Sequence, residues 1–521
     1  MPLPEGDTRK LAWPPTEFVD ILRDLSIADA WYSGDENKLL QCYFGVDQSI
    51  YQPRSREKSF GVFFNRGITF WSRRANEYGT RQLPRLHVPV AGDIAAKSSD
   101  FLFGEEPTIR IAEAHLENPD TAAEKTEARL KELLNLIGFE SLMAEAAELS
   151  SGIGGVYLVP GWDASVANHP IIQVVAEDQA LPKFNKGILT SVTFWREVKT
   201  DGDVIWRHLE VHDPGVIYHG LYKGFRSLVK DSSLPTYNQG TLGVRIPLDS
   251  LPETAGLEDK ITLPGQIKTL LPNYIPNRLP NRKRRLRVGE ADSGGLESLM
   301  DALDEVWTSW MRDIRLGQAK IAAPTDWLTR TGRGQGASLD IDQDIFIKLD
   351  VDPMAEKQGL DMIQFAIRYE EHSKTCLDLF HKIVGSAGYA PQSFGVDING
   401  QAESGTALKV REAASYKTTK KKRRYFEPAL ESTLWKVLTI DREVFNSGVT
   451  IFRPQVTLNE SENDITTISQ ACLNFSQAEA ASIETLVRMA QPELDGDGLK
   501  SEVQRIKEEK GMLLPDPTGR L

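Results

Sequence analysis

Nine apolar residues recur at helical spacing in one short stretch: Leu296, Leu299, Met300, Leu303, Val306, Trp307, Trp310, Met311 and Ile314. Such a stripe cannot stay in water, so the segment must form an amphipathic helix laid against other apolar surface. Residues 293–316 as a single helix span ~36 Å, about twice the length of a mean globular helix. A second face carries Glu297, Asp301, Asp304 and Glu305 at i, i+4, i+7 and i+8, and it is expected to stay exposed. Two more long helical stretches follow, 359–384 and 406–445. The last would be ~60 Å if straight, with Pro428 expected to kink it. A chain with three rods needs a fold that gives each of them an apolar neighbour.

The remainder reads as α+β. A short helix is expected from Gly92 to Phe103, between Pro89 and the stop Gly104. Thr121-Ala-Ala-Glu124 is a capping box ahead of Leu130, Leu133, Leu134 and Ile137, with Gly138 as a stop and a further helix from Phe139 to about Ser150. From Gly155 to about Ile246 the period becomes two. The runs 156–160, 171–175, 189–198, 204–212 and 216–223 read as antiparallel strands, with a hairpin turn at Asp201-Gly202. The Pro- and Gly-rich stretch 248–293 reads as an extended connection crossing a surface. Residues 318–357 form a small block with a glycine turn (Gly332, Gly334, Gly336) and strand-like runs near Ile341–Leu349. Stretch 337–361 is acidic, with seven Asp/Glu against two Lys. Gly385–Gly405 is a loop of small residues, and Val449–Leu458 returns to a strand pattern. Ser476-Gln-Ala-Glu479 is expected to open a helix, and Leu499–Lys510 to form the last one. The first ninety residues hold scattered aromatics and no clean period.

The 521 residues allow two to four domains, and 40% hydrophobic content supports large cores. No apolar run approaches the ~18 residues of a membrane-spanning helix, and the N-terminal residues lack the pattern of a signal peptide. Cys42, Cys376 and Cys472 have no paired spacing for zinc or a disulfide framework. Sixty-one Lys plus Arg against 74 Asp plus Glu leave a net charge of −13, which argues against a surface that grips nucleic acid everywhere. Positive charge is concentrated in two islands. One is Arg282, Lys283, Arg284, Arg285 and Arg287; the other is Lys417, Lys420, Lys421, Lys422, Arg423 and Arg424. Read as solvated patches, they suit an acidic partner surface or DNA at chosen places.

Signals for catalysis are weak. No Gly-x-x-x-x-Gly-Lys-Ser/Thr run exists, so ATP hydrolysis is not expected. Gly332-Arg-Gly334-Gln-Gly336 misses the dinucleotide spacing. His208 and His212 fall in a period-two segment, ~13 Å apart along a strand, which disfavours a metal site. Asp340-x-Asp342-x-Asp344 starts like a calcium loop, but Ile345 and Val351 stand where Gly and Glu are needed. No nucleophile elbow or Ser/His/Asp order is present. No catalytic residue, metal site or cofactor is expected.

The order of parts is distinctive: an α+β region, an amphipathic rod, a small acidic insert, a return rod, a flexible loop and a long helix. This order resembles that of the portal proteins of tailed bacteriophages. Local sequences agree. Val90–Gly104 followed by Glu105-Glu106-Pro107 is similar to the helix and turn near the start of portal wings. Leu296–Ile314 looks like a first stem helix, and Ser404-Gly405-Thr406-Ala407-Leu408-Lys409 resembles the Ser-Gly-x-Ala-Leu-Lys element that ends a portal tunnel loop. The resemblance covers roughly residues 85–510.

The resemblance implies an α+β portal-type fold with these parts: an N-terminal arm or wing start (1–84), wing (85–292), first stem helix (293–317), clip (318–357), second stem helix (358–384), tunnel loop (385–405), long kinked helix with a returning wing strand (406–460) and helical crown (461–521). It implies a ring of about twelve copies at one capsid vertex of the virion, assembled after synthesis in the host cytoplasm. Double-stranded DNA would enter and leave through the axial channel without sequence recognition. Partners would be the terminase large subunit, the major capsid protein and scaffold, and head-completion or adaptor proteins; no membrane is involved. Tyr389, Gln392, Phe394 and Asn399 would lie nearest DNA in the tunnel loop, with Glu297, Asp301, Asp304 and Glu305 on the channel face of the stem. Asp340, Asp342, Asp344 and Asp350 would form the clip docking surface. Two alternatives are a metal-dependent DNA-processing enzyme using Asp340, Asp342 and Asp344, and a minor capsid protein without a channel.

Overall fold

The first rod forms as its stripe requires, over Glu297–Leu316, and the return rod runs over Tyr369–Ala387. In this computed structural model the described residues are 3–4, 8–45, 86–115, 121–226, 240–265, 267–284, 287–316, 320–324, 348–349, 361–363, 367–395, 405–458, 465–478, 480–491 and 496–509. The two rods are antiparallel. Met300 and Leu303 share a core with Ile383 and Val384 at one end, and at the other Asp313 accepts hydrogen bonds from Arg368 (2.9 Å) and His372 (2.9 Å). The Trp310 and His372 rings stack there, 6.1 Å apart.

The same core takes in Trp31, Val90 and Ile94 from helices Thr16–Ser33 and Val90–Phe103, so the rods are rooted in the α+β body. Helix Thr16–Ser33 escaped the sequence reading for a physical reason. Leu22 and Leu25 face one core and Ala30 and Trp31 another, so its apolar residues wind around the helix rather than forming one stripe.

Two antiparallel sheets stack on each other in the body. The larger is six-stranded. Its successive strands are Ala180–Asn185, Ile188–Asp201, Val204–Asp213 and Val216–Phe225. The last strand pairs on its far side with both Val244–Ile246 and Lys260–Thr262. Asp201 pairs with Val204 across a two-residue turn in which Gly202 takes φ +58°, as the hairpin signal required. The smaller sheet orders Asn273–Pro276, Gly155–Gly161 and Ile171–Ala176. Its Tyr157 and Val159 meet Val192 and Phe194 of the larger sheet. Its other face, through Val156 and Leu158, packs under helices Thr121–Ile137 and Phe139–Ile153 and the long helix Gly405–Glu443. The long helix is continuous through Pro428.

Several expectations are corrected. Stretch 248–293 is no surface crossing: Leu248, Leu251, Leu263, Ile267, Leu271 and Ile275 are buried, and two of its segments are strands. The return rod does not begin at 359, because Asp361–Ile363 pairs as a strand with Lys320–Ala322. In the strand-like run 449–458 only Gln455–Thr457 is paired, against Thr108–Arg110. Ser476 lies near the end of helix Ile465–Gln477; the next helix, Ile483–Ala490, is capped by Ser482, whose hydroxyl accepts from the Thr485 N–H at 3.2 Å. The glycines 332, 334 and 336 lie outside the described residues. No helix among the described residues is long and apolar enough to cross a membrane.

Candidate functional site

A buried ionic cluster lies where the rods meet the body. Beyond strand Asn273–Pro276 the chain runs back along the end of helix Phe139–Ile153: Asn277 N–H donates to Gly154 O (2.8 Å) and Asp292 N–H to Ser151 O (3.0 Å). Gly289 allows this approach, since a Cβ there would lie 1.9 Å from Gly154 O. Asp292 is thereby held in the interior, 1% exposed, a few residues before the first rod begins.

Four side chains from distant parts of the chain converge on its carboxylate. Asn277 Nδ2 donates to Oδ1 at 2.9 Å. Ser151 Oγ (2.6 Å), Tyr389 Oη (2.9 Å) and Lys422 Nζ (2.5 Å) donate to Oδ2. Lys422 also donates to Ser98 Oγ at 2.7 Å, and its ammonium lies 5.6 Å from the centroid of the Tyr389 ring. Burial by itself raises the Asp292 carboxyl. The Lys422 ammonium and the donated hydrogen bonds outweigh this and hold it below the usual carboxylate range. Burial, followed by the Asp292 charge, pushes the Tyr389 phenol well above its ordinary value, so it stays a donor. A charge buried this deeply persists only when paired and hydrogen-bonded, as here.

The segment after the return rod is tied to the long helix as well. Gly388 closes the rod in the left-handed region at φ +100°, and Thr418 Oγ1 donates to its carbonyl at 2.6 Å. Ala390 N–H donates to Ser415 Oγ at 2.9 Å. One node therefore joins the helix Val90–Phe103 (Ser98), the helix Phe139–Ile153 (Ser151), the approach to the first rod (Asp292), the end of the return rod (Tyr389) and the long helix (Lys422). What this arrangement can do is keep these elements in one fixed relation. Arg129 adds a second tie, a two-pronged ion pair to the fully buried Asp441 near the end of the long helix (3.1 and 2.9 Å).

The residues singled out in the sequence fall differently from expectation. Tyr389 is not on an exposed loop; it is 1% exposed and bound to Asp292. Gln392 and Phe394 are half-buried in a short turn, with Phe394 edge-on to Phe380 and Tyr389, and Asn399 lies outside the described residues. The four acids of the first rod do not form one free face. Asp304 is fully buried, accepting from Val88 N–H (2.8 Å) and bound to His87 Nδ1 (2.9 Å), because helix periodicity brings it beneath the segment that enters Val90–Phe103. Glu297 is paired with Lys283 at 2.7 Å, Asp301 is half-buried and Glu305 is exposed.

The basic islands are also more structural than expected. Arg284 pairs with Asp24 (2.8 Å) and Asp20 (3.3 Å), Arg282 is exposed, and Arg285 lies outside the described residues. On the long helix Lys422 and Arg423 are buried, while Lys417, Lys420, Lys421 and Arg424 are exposed, as a helix turning once every 3.6 residues dictates. Asp340, Asp342, Asp344 and Asp350 lie outside the described residues. His208 and His212 do share a sheet face, but His208 Nε2 lies 3.3 Å from His219 Nδ1 on the next strand and His212 binds Glu210 at 2.7 Å. Among the described residues no group of three or more His, Cys, Asp or Glu is placed to hold a metal.

Asn277, Ser98, Ser151 and Asp292 were missed by the sequence reading. No local signal marks them, because their partners are separated by up to 324 residues.

No curated protein sequence matches the chain. Among solved structures it is similar to a chain of the virion of the native gene transfer agent particle, with 11% identity and a TM-score of 0.40, over 78% of this chain and 91% of that one. It is also similar to a chain of the neck of the native gene transfer agent particle computed with C12 symmetry, with 12% identity and a TM-score of 0.39, over 82% and 94%. The family model described as phage portal protein, SPP1 Gp6-like, matches residues 29–515, and the chain accordingly belongs to that family.

Proposed function

We propose that this chain is the repeating subunit of a portal ring at one vertex of a viral capsid, through which double-stranded DNA is packaged and later leaves. The observation that carries this reading is membership of the portal family across residues 29–515. It is supported by a pair of antiparallel rods rooted in an α+β body through a shared apolar core and the buried node around Asp292, an arrangement suited to bearing load.

In this reading the ring holds about twelve copies and the rods line the stem. Block 318–357, with Asp340, Asp342, Asp344 and Asp350, docks the terminase motor and later the adaptor proteins. The α+β body faces capsid protein and scaffold. Gln392, Phe394 and Asn399 belong to the loop nearest DNA, and Glu305, with Asp301 beside it, supplies negative charge to the channel. A negative wall repels phosphate and leaves DNA no deep electrostatic well in which to stop. ATP hydrolysis belongs to the separate motor.

Electron microscopy of the purified protein tests the reading. Closed rings with a central hole are expected. A monomer or an open filament at every concentration would overturn it.

A further inference from the structure

An open groove of about 670 Å³ lies between the turn at Gly187, strand Asn273–Pro276 and the long helix. Lys268, Arg287 and Lys436 line it, and among the described residues no carboxylate does. Its apolar lining includes Phe184, Tyr425 and Ile188, the last 70% exposed. Lys436 is the deepest of the three cations at 3% exposed; among the described residues it donates to neutral acceptors, Asn273 Oδ1 (2.7 Å) and Leu271 O (3.1 Å). Burial without a countercharge pulls its amine down to about 7. Arg287 stands exposed against Gly187, near where a Cβ would lie (3.2 Å).

A buried amine without a countercharge regains its charge when a carboxylate is brought beside it, and a concave surface that offers cations next to exposed apolar surface suits a partner of the same mixed character. This groove combines both features on a chain whose net charge is −13. A second copy therefore presents surface that is on balance of the opposite sign to the groove. Duplex DNA would satisfy the charge but not the apolar lining.

We propose that the groove receives an acidic segment of the neighbouring copy, whose carboxylates meet Lys268, Arg287 and Lys436 and whose apolar side chains cover Ile188. The contact joins unlike surfaces, the heterologous kind that can close a ring. It rests on the portal-ring reading above.

The test uses full-length protein assembled from equal amounts of isotopically labelled and unlabelled copies. Zero-length carbodiimide cross-linking and mass spectrometry should find Lys268 joined to an Asp or Glu of the other label, in rings and not in dilute monomer. The variant Lys268→Glu/Arg287→Glu, changed at exposed positions, should keep its melting temperature yet need roughly tenfold more protein for half-assembly. Rings with no mixed-label cross-link at Lys268, and a double variant that assembles like the parent, would overturn the groove contact and leave the portal reading standing. A parent protein that forms no rings would overturn both. A double variant that assembles normally but loses affinity for duplex DNA would transfer the groove to nucleic acid and also defeat the proposal.

Discussion

Lys422 Nζ lies 2.5 Å from Asp292 Oδ2, and the two side chains are only 5% and 2% exposed. Their 130-residue separation in sequence makes this pair a clamp between the long helix and the root of the first rod. The pair holds because Ser151, Asn277 and Tyr389 complete the carboxylate's hydrogen bonding, without which two buried charges would cost more than their attraction returns.

Removing one partner should be far worse than removing both. Lys422→Met leaves Asp292 charged and unpaired, for an expected loss of about 3–5 kcal/mol. Asp292→Asn combined with Lys422→Met should recover much of that loss, because no unpaired charge is then left at this node. Urea unfolding of the four proteins in a double-mutant cycle measures this. Losses that simply add, within about 0.5 kcal/mol, would mean the two groups are not coupled.

Glu177 predicts a slope at neutral pH. It is 1% exposed, accepts from Tyr274 Oη at 2.5 Å, and burial raises its pKa to about 8. The folded protein therefore keeps it protonated where the unfolded chain, near 4.5, does not. The stability it contributes is full below 4.5 and is lost as pH rises through about 8, by up to about 5 kcal/mol. Glu177→Gln, always neutral, should be at least as stable as the parent at pH 8 and should flatten the unfolding profile between pH 5 and 8. An unchanged slope in that variant would show that the group does not titrate on folding.

The histidine face of the large sheet should act in the opposite direction. His208 is held near 4 by burial and by the stacked His219, while Glu210, His212, Arg196 and Asp259 are the other titratable or charged groups felt in this cluster. The neutral ring is the native form, so stability is complete above the ordinary value of 6.5 and falls as pH drops from there to about 4, by about 3 kcal/mol. Melting temperatures recorded from pH 7 to 4 should fall less steeply for His208→Gln than for the parent. Parallel curves would count against this assignment.

Asp304 and Glu305 are neighbours in sequence with different work to do. Asp304→Ala strands the Val88 N–H and His87 in the interior and should cost about 1–3 kcal/mol with no change in DNA affinity. Glu305→Lys, at an exposed position, should leave stability within about 0.5 kcal/mol and strengthen DNA binding by assembled rings at low salt. Chemical denaturation and a salt-dependent binding titration separate the two. Equal DNA affinity for Glu305→Lys and the parent would remove Glu305 from the channel.

The sequence by itself determined the elements whose signals are local. The first rod follows from its apolar stripe, the Asp201–Val204 hairpin from Asp-Gly, and helix Thr121–Ile137 from the helical spacing of Leu130, Leu133, Leu134 and Ile137 ahead of the stop at Gly138. The succession of parts pointed to the family. Only the tertiary structure decided which charges are buried. Lys422 read as one member of a solvated basic run and Asp304 as one member of an acidic face, yet each is turned inward onto a partner more than 100 residues away. The same holds for stretch 248–293, whose prolines concealed a contribution to three cores. Periodicity reports which way a residue points relative to its own helix or strand. What waits on that side, water or an opposite charge from another part of the chain, is set by packing and has no local signature.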